Sequence, residues 1–169
     1  MNKKAIKKLV LITLIGLSPS WAWSTSLIKM SSADMVDSAV SIIHGRCTGV
    51  TSQWVKGSLV TKATISVTDT LKGIVDREIT LVVPGGVDRT RAVPVAVTYP
   101  GIPTLTPNEE MILFLENSNR LTNAYSLVGF SQGFYAVVNN GTSSFAARRM
   151  DGKAEQLEAF KEKIRRLVK

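Results

Sequence analysis

The chain has 169 residues, of which 21 are Lys or Arg, 13 are Asp or Glu and one is His, a formal net charge of +8. That length suits one domain with a core of its own, and a single cysteine, Cys47, excludes an internal disulfide. With one histidine and one cysteine, the chain has too few soft ligands for a structural zinc site.

Lys3, Lys4, Lys7 and Lys8 precede an apolar run, Leu9 to Leu17, interrupted by Thr13 and Gly16; Ser18-Pro19-Ser20 ends it ahead of Ala22 and Ser24. This is the layout of a secretory signal peptide, and the run is shorter than the ~20 residues a spanning helix needs. We expect residues 1–24 to be removed near Ser24, leaving residues 25–169 as one periplasmic or secreted domain. The mature balance is then 17 basic against 13 acidic residues, or +4, so charge gives nucleic-acid binding little support. No second apolar stretch approaches spanning length, and the mature form is expected not to cross a membrane.

Ser31-Ser32-Ala33-Asp34 reads as the start of a short helix, capped by Ser31 or Ser32. Val40 to Val50 reads as a strand with Ile43, Gly45 and Cys47 on one face and His44, Arg46 and Thr48 on the other. Gly45 and Gly49 predict a bulge or bend that lets one long strand pair on both sides. Thr51 to Gly57, with Trp54, is expected to be a connection.

Two alternating strands follow: Ala63, Ile65 and Val67 share one face of the first, and Ile79, Leu81 and Val83 one face of the second. Leu71-Lys72-Gly73 separates them, and Pro84-Gly85-Gly86 ends the second. Pro84 to Pro107 carries five of the six prolines and predicts a stiff irregular excursion with a short edge strand near Val93 to Val97.

Met111 to Leu115 is apolar on both faces, as a strand covered on each side must be. A hairpin is expected from Ala124 to Val138 around Ser131-Gln132, then a turn at Asn139-Asn140-Gly141 and a last strand from Ser143 to Ala147. From Lys153 the period becomes helical, with Leu157, Phe160, Ile164 and Leu167 in one stripe over 153–168. Interspersed Glu155, Glu158 and Glu162 favour docking of this helix on the sheet over lying on a membrane.

The pattern predicts a mainly β domain: a small closed or partly open OB-like β-barrel with a short N-terminal helix and a C-terminal amphipathic helix. A two-sheet sandwich is the alternative.

Val67-Thr68-Asp69-Thr70-Leu71-Lys72-Gly73, Val83-Pro84-Gly85-Gly86, Gly101-Ile102-Pro103-Thr104-Leu105 and Asn108-Glu109-Glu110 before Met111 to Leu115 occur in order. With Val128-Gly129-Phe130-Ser131-Gln132-Gly133-Phe134, they resemble a group of uncharacterised exported bacterial proteins over roughly residues 35 to 138. Leu105 stands where that pattern has an aromatic, and Asn108 where it has glycine. More distantly the layout is similar to the OB-like barrels of netrin and metalloprotease-inhibitor modules. Those inhibitors insert an N-terminal cysteine into the protease zinc site, and this chain has no such cysteine.

His44 and Cys47 fall on opposite strand faces, so we expect Cys47 in the core, His44 in solvent, and no catalytic pair. Adjacent Glu109 and Glu110 read as a solvated turn. No catalytic residue, metal site or cofactor is expected. The stiff excursion is the expected binding surface, with Arg89, Arg91 and Tyr99 suited to a polar or anionic partner. These readings point to a non-catalytic exported binding module, its partner an envelope or secreted protein. The alternatives are a protease-inhibitor-like module, a nucleic-acid-binding OB-like barrel and, last, an enzyme.

Overall fold

A strand of 15 residues, β1 (Ser41–Val55), runs through both halves of the sheet. It pairs antiparallel along its length with β2 (Ser58–Lys72), and from Ser41 to Arg46 it also pairs with β6 (Glu110–Asn117). Register shifts at Ile42/Ile43, His44/Gly45 and Cys47/Gly49 bend it between these neighbours, as its glycines predict. A Cβ at Gly45 would lie 2.7 Å from the Ser66 carbonyl oxygen, so only glycine lets β2 come this close. These features belong to a computed structural model that describes residues 28–148 and 152–168; the expected signal segment and its cleavage point near Ser24 lie outside the described residues.

The connection expected from Thr51 to Gly57 is shorter than its polar sequence suggests. Thr51 to Val55 continue β1, and Lys56-Gly57 alone make the turn, with φ of 48° and 78°. Positive φ at both positions is the type I′ geometry that matches strand twist, and it places Trp54 on a strand.

The remaining strands of the main sheet are β3 (Glu78–Pro84), β7 (Tyr125–Leu127), β8 (Phe134–Asn139), β9 (Ser144–Ala147) and β10 (Ala154–Gln156). The order is β1-β2-β3-β7-β6-β8-β9-β10, and β6 returns to β1. The sheet thus curls round, but β3 meets β7 through one parallel pair, Leu81 with Tyr125, and β8 to β10 continue beyond the join. The fold is mainly β, with a large sheet that is not a clean barrel.

The hairpin expected from Ala124 to Val138 does not form. β7 and β8 each pair with β6 instead, at Leu115 to Asn117 and at Met111 to Leu113. Between them Val128 to Gly133 loops around Phe114, whose N–H donates to the Gly133 carbonyl at 2.9 Å and whose carbonyl accepts from Val128 N–H at 3.0 Å. The long β6 outcompetes a local turn because it offers each strand a ladder of its own, its buried residues to β8 and its exposed end to β7.

Two cores flank β1 and β6. The inner one holds Ile43, Cys47, Ile65, Leu81, Leu113 and Phe134. The outer one packs Ile42, Ile112 and Phe114 against two helices, α1 (Ser32–Ser38) and α2 (Leu157–Val168). This double cover explains why Met111 to Leu115 are apolar on both faces. Ser31 caps α1, its Oγ accepting from Asp34 N–H at 3.1 Å while the Asp34 carboxylate accepts from Ser31 N–H at 3.2 Å.

On α2, Leu157, Phe160 and Ile164 are buried, whereas Leu167 is 40% exposed because the helix runs past the sheet. It begins at Leu157 rather than Lys153, since Ala154 to Gln156 extend the sheet beside β9. Among the described residues, no helix is long and apolar enough to cross a membrane.

Buried Gln132 fastens the chain leading into α1. Its Oε1 accepts from Met30 N–H and its Nε2 donates to the Ile28 carbonyl, both at 2.8 Å. One side-chain amide thereby satisfies an extended backbone as a neighbouring strand would.

Candidate functional site

The excursion is built, not loose. Gly86, with φ of 146°, crosses β1 and β2 where a Cβ would lie 2.5 Å from Ser52 Oγ and 2.8 Å from Thr61 Oγ1. Glycine is required there by both the dihedral and the space. A small ribbon follows, β4 (Gly86–Asp88) paired antiparallel with β5 (Val95–Val97), so the expected edge strand forms in its own two-stranded sheet. Ser52 Oγ accepts from Val87 N–H at 3.1 Å. Tyr99-Pro100-Gly101-Ile102 closes a turn in which Ile102 N–H donates to the Tyr99 carbonyl at 3.2 Å, with Gly101 at φ of 82°.

Asp88 is the hub. It is 7% exposed, and Oδ1 accepts from Thr90 N–H at 2.9 Å and from the Thr90 hydroxyl at 2.6 Å. Oδ2 accepts from Trp54 Nε1 at 2.7 Å and from Arg91 Nε at 3.1 Å. These donors, the Thr90 hydroxyl first and the Trp54 indole next, hold the carboxyl well below the usual carboxylate range. The Arg91 guanidinium also lies 4.9 Å over the Trp54 ring.

The three residues expected to bind a partner therefore differ in their settings. Arg91 is tied to Asp88 and Trp54, yet its side chain is 57% exposed. Arg89 and Tyr99 both line a groove of about 450 Å³ beside the ribbon, and both are exposed. Trp54 and Asp88, which complete the surface, escape sequence reading: one sits in a stretch resembling a loop, and the other is an ordinary surface residue type. The available signal is the Asp-x-Thr spacing at 88 and 90, an Asx-turn pattern.

A second polar constellation spans β1, β2 and β6 and reaches α2 through Asp69. His44 Nε2 and Glu110 Oε1 share a hydrogen bond at 2.7 Å, and Arg46 donates to Glu110 Oε2 at 2.9 Å. Asp69, paired with His44 in the β1–β2 register, accepts from Arg165 and forms an ion pair with Lys161, each at 2.8 Å. Hydrogen bonding from Lys161 lowers the Asp69 pKa against an opposing effect of burial, with Arg165 adding to the lowering.

His44 is 5% exposed, which corrects the expectation that it is solvated: it lies buried beside Glu110 of β6. Glu110 is likewise no free turn residue but the first residue of β6. Cys47 points into the inner core, where its thiol donates to the Gly49 carbonyl at 3.6 Å and burial pushes its pKa up, while His44 bonds to Glu110. Asp69, through Lys161 and Arg165, ties α2 to the sheet.

A hollow of about 710 Å³ lies between β3 and the turn before β7. It is lined by Lys56, Asp76, Glu78 and Arg120, opposing charges on a solvated surface. Among the described residues, no three His, Cys, Asp or Glu side chains are placed to hold a metal ion. No protein-family model matches the chain, and no curated protein matches it.

Proposed function

We propose that this chain is an exported, non-catalytic binding module whose protein partner docks on the excursion, against Trp54, Arg89, Arg91 and Tyr99. The observation that carries the reading is the Asp88 hub. Four donors hold the Asp88 carboxylate, and one of them, the Trp54 indole, ties an irregular, proline-rich segment to the tip of the β1–β2 hairpin, while Trp54 and Tyr99 stay 41% and 43% exposed. Preorganised loops lose little entropy on binding, and Trp, Tyr and Arg dominate the energetics of protein interfaces. The Lys-rich, short apolar leader supports export. The return of β6 to β1 and the parallel contact of β3 with β7 support an OB-like arrangement.

The test replaces Arg89, Arg91 and Tyr99 together with Ala and compares proteins captured from the envelope fraction by the variant and the parent chain. A folded variant that loses a specific captured protein supports the reading. If it captures the same set, the excursion only covers the end of the sheet. Intact mass of the envelope form checks export: a mass retaining residues 1–20 counts against cleavage near Ser24.

A further inference from the structure

Beyond Cys47, β1 and the chain entering β6 part company. Asn108 N–H donates to the Cys47 carbonyl at 2.8 Å, and Cys47 N–H donates to the Glu109 carbonyl at 2.9 Å. Pro103 and Pro107 lie just before, and proline has no N–H with which to continue a ladder. The 450 Å³ groove opens here, with Val50 and Ser52 on one wall and Ile102 and Leu105 on another.

The hairpin register says which backbone groups of β1 point away from β2. The two-residue turn joins Val55 to Ser58, which makes them a hydrogen-bonded pair. The alternate pairs Trp54/Leu59, Ser52/Thr61 and Val50/Ala63 then direct N–H and C=O away from each other. On the β2 side such a group is used, since the Leu59 carbonyl accepts from Gly85 N–H at 2.9 Å. On the β1 side, those of Val50, Ser52 and Trp54 pair with no further strand among the described residues. An open edge is a template for another strand.

Arg89 is the one charged residue among those lining the groove, and among the described residues it makes no hydrogen bond or ion pair. The other walls are apolar or carry hydroxyls. We propose that the groove takes an extended peptide segment of the partner, which adds as a strand to β1 at Val50 to Trp54 and sets an Asp or Glu carboxylate on Arg89. The inference rests on the binding reading above and specifies its mode and chemistry.

The test uses the mature chain and short fluorescein-labelled probes of alternating Val and Thr with a central Glu or a central Lys. Fluorescence anisotropy should show the Glu probe binding and the Lys probe at least ~10-fold weaker, with the order reversed in Arg89→Glu. A Glu probe N-methylated at alternate residues, unable to pair with an edge, should not bind. Hydrogen exchange should show the amides of Val50, Ser52 and Trp54 protected by the Glu probe.

Equal binding of Glu and Lys probes, undiminished binding of the N-methylated probe, or no binding by any probe overturns the proposal. So does concentration-dependent self-association that protects these same amides, which would assign the edge to a second copy. None of these results touches the wider surface, whose failure is read separately from capture by the Arg89, Arg91 and Tyr99 triple variant.

Discussion

The Trp54 indole donates its N–H to Asp88 Oδ2 across 2.7 Å, although 34 positions separate the two residues. One residue lies next to the end of β1 and the other ends β4, inside the excursion. Their bond makes the excursion an extension of the sheet, with the Trp54 ring face left to Arg91 and to solvent.

Replacing Asp88 with Asn should therefore release the excursion while sparing the core. An amide cannot accept from all four donors, and its NH₂ faces donors already in place. Limited proteolysis between residues 88 and 107 should accelerate about tenfold, because cleavage follows the population of the opened segment. Trp54 emission should move to the red while the main unfolding transition stays near that of the parent. The pH dependence has a definite sign. A carboxyl held below its usual range stabilises fully above its unfolded-state value, near about 4, and loses that effect only as pH falls towards its folded value. Titration from about pH 7 to pH 5 should leave the Trp54 emission unchanged; a shift in that window contradicts the hub.

Lys161 is 9% exposed and rests on Asp69. Asp69→Asn should destabilise by about 2–3 kcal/mol in urea unfolding, because a buried ammonium loses the nearer of two counterions and keeps Glu158 at 3.5 Å. The fully buried cost is not reached, since Asp69 itself is 29% exposed. Lys161→Met, which removes the buried charge and leaves Asp69 its Arg165 partner, should be neutral or stabilise by up to about 1 kcal/mol. The Asp69 pKa is lowered, so its contribution is present above about pH 4 and declines as acid protonates it. Equal losses from both substitutions indicate that packing, not charge pairing, holds α2.

Cys47 has no exposed surface and sits in the inner core. Burial raises its pKa, which disfavours the thiolate. Modification by a thiol reagent under native conditions should thus proceed only through opening of the fold, and denaturant should accelerate it by orders of magnitude. Cys47→Ser should cost about 1–3 kcal/mol by burying a hydroxyl in an apolar site. Rapid labelling of the folded protein is the result that refutes a structural role.

Gln132→Leu should detach the segment before α1. It leaves Met30 N–H and the Ile28 carbonyl without their side-chain partner, a cost of about 1–3 kcal/mol. Hydrogen exchange at Met30 should rise sharply, with little change at β6. Unaltered protection at Met30 shows that the amide clamp is dispensable.

Local physics was legible in the chain itself. Alternation in Ala63 to Val67 and Ile79 to Val83, the two-faced apolarity of Met111 to Leu115 and the stripe at Leu157, Phe160 and Ile164 each record burial on a definite face. Gly45 and Gly49 recorded the bend in β1, and the clustered prolines recorded the excursion. These signals survive because each depends on neighbours within a few residues. Tertiary structure decided what depends on distant partners. Val128 to Gly133 had to choose between a hairpin and the edge of β6, and β6 won. His44 became buried and took as its partner Glu110, 66 positions later. Asp88 is a common surface residue until the hairpin turn brings Trp54 to it. A side chain's chemistry is written in its type, but its desolvation and its partners are set by elements that only folding brings together.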